Sequence, residues 1–237
     1  MSHITFAIAI ATYQRPNGKT PFYLSRALDC VLKQTYSNWK VYLYGDKYED
    51  NEEFVKLSSV IPSEKLHIYN MPVANERDNV TNPQFRWRVA GCNTMNVMRQ
   101  QILDDGFEWI CHLDDDDYWS LNRLQVLNDV ILQLPDACFI YNYSTHGGRW
   151  WPPVQVNGCQ YNNLIPQPGM AIHASQVYNA RLLRQFKFKT WPDQVEVAGD
   201  WQFLEFLTKF LKENPSEKTL FIPQLLTYHD QEGEFRG

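Results

Sequence analysis

Short apolar runs alternate with stretches of helical periodicity through the first half of the chain, and this alternation limits the possible folds more than any other feature. The runs ITFAIAIA (4–11), WKVYLYGD (39–46), KLHIYN (65–70) and FEWICHL (107–113) have strand length and are rich in β-branched or aromatic residues. Between the first two, FYLSRALDCVLKQTY places apolar residues at Leu24, Ala27, Leu28, Val31 and Leu32, the i, i+3, i+4 spacing of an amphipathic helix. EDNEEFVKLSSVI reads as a short helix that opens on acidic residues, as its dipole prefers, and that Pro62 closes. Strands that alternate with helices pair mostly in parallel and are covered on both faces. The expected class is therefore α/β, a central mostly parallel sheet flanked by helices. Ligands of such sheets bind beyond the carboxyl ends of the strands. The first, second and fourth strands end there in TYQR, GDKYED and DDDD.

The remaining pattern is less regular. Residues 71–92 read as a long loop running into a helix from Asn93 to Asp104, and LNRLQVLNDVILQL is a helix ended before Pro135. ACFIYNYS is a fifth strand. A short strand near MAIHA, a helix from Ser175 to about Phe186, a helix from Trp201 to Lys212 and two last strands, LFI and LLTYH, follow. Near residue 145 regular alternation gives way to Trp, Pro and Gly, with no internal repeat. One domain is expected over 1–237, its two halves meeting near residue 117.

Charge and cysteine usage exclude several classes. A formal net charge of −5 disfavours a nucleic-acid-binding surface. Cys30, Cys92, Cys111, Cys138 and Cys159 are scattered without a CxxC pair, which gives no support to a zinc or redox motif. They suit a reducing compartment. The first apolar run has no basic region before it, so no signal peptide is expected. No run approaches the ~20 residues that span a bilayer. The expectation is a soluble, cytoplasmic protein.

Four adjacent aspartates, Asp114 to Asp117, then need a reason. Their mutual repulsion is poorly screened in a cleft, and a divalent cation turns it into attraction. In an extended segment Asp114 and Asp116 point the same way, and carboxylate oxygens suit Mg²⁺ or Mn²⁺. A solvated acidic loop is the alternative; the position after a buried strand favours the cation.

At this point the chain resembles a known family. HLDDDDYWSLNRL resembles the D-x-D motif of nucleotide-sugar-dependent glycosyltransferases with the GT-A fold, most closely family 2, with Arg123-Leu124 as the basic–apolar pair that opens the next helix. IAIATYQRP and ALDCVLKQTYSNWKVYLYGD resemble that family's first strand and following helix–strand segment. VAGDWQFLEFL is a weaker match to its late acidic helix start. The likeness covers roughly residues 4–50 and 100–145. It departs at Gly45-Asp46, where the family has two aspartates, at Gln14, where it commonly has Asn, and at Val97-Met98, where it often has Asn nearby. These departures bear on the donor more than on the activity.

The resemblance implies an inverting transferase with the GT-A, nucleotide-diphospho-sugar transferase fold. It would move a sugar from a UDP- or dTDP-linked donor to a carbohydrate or other hydroxyl acceptor, with Mn²⁺ or Mg²⁺. It assigns Thr12, Tyr13, Arg15, Asp46, Arg86, Asp114 and Asp115 to the donor nucleotide, Asp116 with Asp114 to the metal, and Asp200 to the general base. His229 is a further metal candidate. Each has a plainer alternative: Asp46 a turn or helix cap, Arg86 (or Arg88) a salt bridge, Asp200 a helix cap and His229 a surface histidine. Asp117 reads as the cap of the next helix, and His173 as a core residue. Trp150 and Trp151, beside glycines, offer flat faces to an acceptor sugar, and equally to core or a dimer contact. Two other functions stand beside the transferase. A sugar nucleotidyltransferase would need a Gly-rich phosphate loop, and ATYQRPNGKTP has one glycine. A non-catalytic carbohydrate-binding protein on a transferase fold would not need Asp116 and Asp200.

Overall fold

The computed structural model describes residues 3–153, 158, 160–161 and 167–229. β1 (Phe6–Thr12), α1 (Thr20–Leu32), β2 (Trp39–Gly45), α2 (Asn51–Ser58) and β3 (Leu66–Asn70) open the chain. Next come α3 (Asn75–Asn79), α4 (Pro83–Val89), α5 (Cys92–Asp104), β4 (Trp109–His112), β5 (Tyr118–Trp119) and α6 (Arg123–Gln133). β6 (Ala137–His146), β7 (Arg149–Trp151), β8 (Gln160–Tyr161), β9 (Val177–Asn179), α7 (Ala180–Leu183), α8 (Gly199–Glu213) and β10 (Lys218–Tyr228) complete it.

One sheet holds every strand of the described residues, in the order β3-β2-β1-β4-β9-β6-β10-β5, with β7 on β6 and β8 on β10. The pairs β3/β2, β2/β1, β1/β4 and β6/β10 are parallel, and β9 runs antiparallel between β4 and β6. The sheet is mixed but mostly parallel, as the alternation requires.

The pleat of β1 shows why both faces are covered. Phe6, Ile8 and Ile10 join a core that includes Leu24, Leu28 and Val31 of α1, Phe54 of α2 and Leu124 and Leu127 of α6. Ala7 and Ala9 point the other way, into a second core with Met95 and Met98 of α5 and Phe203 and Leu207 of α8. Alanine on that face lets α5 approach the strand closely. Leu24 and Leu28 are fully buried, and truncating either to alanine costs about 2–5 kcal/mol.

Four expectations are corrected. The stretch 71–92 carries two short helices, α3 and α4, held by tertiary contacts: Val80, Val89 and Val195 form their own buried cluster. No strand forms near MAIHA; residues His173–Ser175 make a 3-10 turn and the strand is β9. The helix expected from Ser175 shrinks to α7, because β9 takes residues 177–179 into the sheet. The last two strands are one, β10, whose register shifts between Ile222 and Leu225 accommodate Pro223, which has no N–H to offer a ladder. Cys159 lies outside the described residues. Among the described residues no helix is long and apolar enough to cross a membrane.

Candidate functional site

Parallel register brings the three polar strand ends together. Thr12 at the end of β1 stands opposite Gly45 of β2, while Ala9 stands opposite His112 of β4. The aspartate run therefore passes the last turn of β1. It is a turn, not an extended segment, closed by the Asp117 N–H donating to the Asp114 carbonyl at 3.0 Å. The alternation still holds: Asp115 and Asp117 are 5% and 0% exposed, whereas the side chains of Asp114 and Asp116 are 37% and 35% exposed.

The inward pair is tied down. Arg15 grips Asp115 with both nitrogens, Nη1 to Oδ2 at 2.7 Å and Nη2 to Oδ1 at 2.6 Å. Thr12 Oγ1 donates to the same Oδ2 at 2.6 Å and meets the Tyr48 hydroxyl at 2.8 Å. The Arg15 guanidinium also lies 4.7 Å from the Tyr13 ring centroid and 3.3 Å from Asp116. Burial lowers its pKa, but Asp115 outweighs this and leaves Arg15 above its ordinary value. Asp117 does not cap α6, whose N-cap is Asn122. Its Oδ1 is 2.8 Å from His229 Nδ1, and the His229 ring stacks on His146 at 5.0 Å. Burial would lower the His229 pKa; the Asp117 hydrogen bond and charge overcome it and raise the group to about 9.

The outward pair has different electrostatics. Desolvation, then the charges of Asp115, Asp117 and Asp114, push Asp116 up to about 7. Asp114 feels desolvation too, but the charge and hydrogen bond of His173 hold it below the ordinary carboxylate range. Such a donor set, crowded with negative charge and made of hard oxygens, fits Mg²⁺ or Mn²⁺. Among the described residues no group of three His, Cys, Asp or Glu side chains is close enough to enclose a metal. A cation on Asp114 and Asp116 would keep positions for other oxygens.

Asp46 lies at the end of β2, 7% exposed, with its N–H on the Thr12 carbonyl at 2.7 Å. Its Oδ2 accepts from Arg77 Nε at 2.7 Å, and its Oδ1 is 3.3 Å from Thr94 Oγ1. Arg77 also reaches the Asp46 and Lys47 carbonyls, which the left-handed Lys47 (φ 54°) turns toward it. The Arg77 guanidinium is 5.6 Å from the Tyr13 ring, so Tyr13 has arginines near it from both strand ends. Sequence reasoning had no means of finding Arg77, because α3 has no periodic signal. Arg86, the arginine expected at the nucleotide, lies exposed on α4 and donates to the Val80 carbonyl at 2.8 Å. Gly45 has a packing cause: a Cβ there would meet Tyr48 Cδ2 at 2.8 Å, Asn70 Oδ1 at 3.0 Å and Phe54 Cζ at 3.1 Å.

Asp200 occupies the first turn of α8, but the N-cap is Ala198. Gly199 lets this helix start press on α5, since a Cβ would fall 2.8 Å from Cys92 Sγ. Burial raises the Asp200 pKa and Asp114 adds to it, while His173 and the N–H groups of Trp201 and Asp200 act against. His173, read as a core residue, in fact hydrogen-bonds Asp114 at 2.8 Å. Its charge is felt by Asp200 as well, as is that of Asp114. Trp150 is 56% exposed on β7, beside Tyr143.

No protein-family model matches the chain. It is 33% identical, over a 244-residue alignment covering 100% of this chain and 98% of the relative, to the uncharacterized glycosyltransferase R139 of Acanthamoeba polyphaga mimivirus. It is 25% identical over 179 residues to the UDP-Glc:alpha-D-GlcNAc-diphosphoundecaprenol beta-1,3-glucosyltransferase WfgD of Escherichia coli, covering 73% of this chain and 61% of that one. Among solved structures, S. aureus TarS 1-349 in complex with UDP-GlcNAc superposes with a TM-score of 0.67 at 15% identity, over 98% of this chain and 60% of that one. The chain thus spans about three fifths of WfgD and of that TarS fragment. A mostly parallel sheet flanked by helices and matched by TarS, joined to likeness along its whole length to R139, places the chain in its family: it belongs to the glycosyltransferases, of the GT-A type.

Proposed function

We propose that the protein is an inverting, metal-dependent glycosyltransferase that takes its sugar from a UDP- or dTDP-linked donor and passes it to a hydroxyl of a carbohydrate or glycoconjugate. One observation supports this best. A carboxylate with a raised pKa, Asp200, lies within electrostatic reach of Asp114, which belongs to the aspartate run at the strand ends where such sheets bind nucleotides. That WfgD is named for UDP-Glc, and that TarS was solved with UDP-GlcNAc, supports uracil as the base.

In this reading the nucleotide half reaches to about residue 117. The Asp46 carboxylate accepts from the base imide N–H while Tyr13 lies along the base and Arg77 orients Asp46. Asp115 is held by Arg15 and Thr12 and acts as the fixed floor of the run, within reach of the ribose. Asp114 and Asp116 would hold a Mn²⁺ or Mg²⁺ ion, with His229 behind Asp117 as the further candidate. The ion would supply charge neutralisation for the departing nucleoside diphosphate. Asp200 takes the proton of the acceptor hydroxyl as that oxygen attacks the anomeric carbon; a raised pKa makes it the better proton acceptor. Exposed Trp150 on the far half offers an acceptor sugar one flat face.

Calorimetry with UDP, dTDP, GDP and ADP tests this. UDP or dTDP should bind in Mn²⁺ and weaken at least tenfold in EDTA, roughly 1.4 kcal/mol, because the run otherwise faces a diphosphate of like charge. Equal affinity for all four nucleotides, or indifference to EDTA, would count against the assignment.

A further inference from the structure

Behind Asp114 the fold carries an expensive arrangement that neither the core nor the nucleotide pocket requires. Arg99 of α5 is 4% exposed, and among the described residues no carboxylate pairs with it. Its guanidinium lies among aromatic rings, 4.1 Å from Phe188, 5.1 Å from Tyr178, 5.9 Å from Phe203 and 6.0 Å from Phe186. Cation–π contacts offset only part of the cost of burying an unpaired guanidinium. Nη2 and Nε of Arg99 donate to His112 Nε2 at 2.9 and 3.3 Å, and Nη2 also reaches the Tyr178 hydroxyl. Arginine has no acceptor, so His112 Nε2 must be bare and the His112 proton sits on Nδ1.

His112 is the last residue of β4, wholly buried, two residues before Asp114. Its ring stacks on His173 with centroids 4.2 Å apart and planes at 29°. His173 Nδ1 lies 2.8 Å from Asp114 Oδ1. An ionised carboxylate only accepts, so Nδ1 donates. His173 Nε2 is buried without a hydrogen-bond partner among the described residues, so among them only the Asp114 hydrogen bond and the His112 stack orient the ring. The orientation of one Asp114 oxygen is thereby set from α5 through two imidazoles, on a side chain that is 37% exposed.

We propose that His173 is a positioning residue for sugar transfer: its Nδ1–H fixes the Asp114 carboxylate, and the buried His112–Arg99 pair fixes His173. The inference rests on the proposed function, in which Asp114 faces the donor diphosphate. A loosened Asp114 still offers its charge to the donor but misplaces it when the diphosphate departs, so turnover should suffer more than binding. Misplacement of a positioned group by about 1 Å commonly costs on the order of 10²-fold in rate.

The test uses three variants of the full chain, with UDP affinity, kcat, donor KM and melting temperature measured for each. His173→Ala should lower kcat by ~10–100-fold while UDP affinity changes by less than about threefold. His173→Asn places an amide N–H where Nδ1–H was and should restore most of that loss; a proton-accepting imidazole would not be rescued this way. Arg99→Met removes the buried charge, so the protein should melt no lower than the parent yet turn over at least about fivefold more slowly. A merely structural role predicts lower melting with normal kcat in the folded fraction. If His173→Ala turns over like the parent, or His173→Asn is as damaged as His173→Ala, the positioning role is overturned. An Arg99→Met protein with parental kcat overturns the part assigned to the His112–Arg99 pair; should that variant fail to fold, the two His173 variants still decide the main claim. A parent chain that binds no UDP and turns over no nucleotide sugar overturns the proposed function and this inference together.

Discussion

Asp46→Ala isolates the base-recognition claim. In the free protein Asp46 spends one oxygen on Arg77 Nε at 2.7 Å and holds the other near Thr94 Oγ1 at 3.3 Å, a long contact that a base N–H would improve on. A hydrogen bond to a charged group contributes about 1.5–3 kcal/mol. Arg77 is 33% exposed and relaxes into water when its partner is lost, so the low end applies, about 1.5 kcal/mol, or a tenfold rise in the UDP dissociation constant. Folding should lose no more than about 1 kcal/mol, since the pair is partly solvated, which lowers the melting temperature by roughly 2–4 °C in a chain of this size. Titration calorimetry and a melting curve on the same sample separate the two effects. The pair Asp46→Ala and Arg77→Ala should also be non-additive, because Arg77 acts through Asp46. Unchanged UDP affinity with a lowered melting temperature would mean that Asp46 is a turn residue and that the base lies elsewhere.

Two further outcomes concern the framework. Gly45→Ala should destabilise the fold by about 1–3 kcal/mol and weaken UDP binding with it, because the new methyl drives Tyr48 off the Thr12 hydroxyl; a melting curve matching the parent would refute this. Burial holds the pKa of His67 below its ordinary value, between Tyr42 and Tyr44. The unfolded chain then binds the proton more readily than the folded one, so this stability is present above the unfolded pKa of about 6.5 and is lost as pH falls below it. His67→Phe should flatten the decline in melting temperature between about pH 6.5 and 5, and an unchanged slope would contradict the assignment.

How much of this was legible in the sequence depended on whether a signal was local. The apolar runs at 4–11, 39–46 and 107–113 announced β1, β2 and β4 because a strand buried on both faces needs no partner to be recognised, and the shorter run at 65–70 gave the half-buried edge strand β3. Their ends placed Thr12, Asp46 and the aspartate run at one edge, which parallel register then brought together. β9 was missed because three residues have no period, and its place between β4 and β6 is decided by strands distant in sequence. The helices of 71–92 were missed for the same reason: Asp46 holds Arg77 and Asn93 N–H caps onto Glu76, contacts no window of sequence contains. His173 looked like core since its neighbours are apolar; only the turn before β9 aims it at Asp114.

The central claim is that Asp200 accepts the acceptor proton, and the rate of sugar transfer by Asp200→Asn tests it most directly. Asparagine keeps the shape of the side chain but takes no proton. Because the N-cap of α8 is Ala198, the change should leave folding nearly untouched. The account expects UDP binding within about threefold of the parent and transfer slowed by ~10²–10⁴-fold, as befits a group used only in the transition state. Transfer at the parental rate by a normally folded Asp200→Asn protein would contradict it.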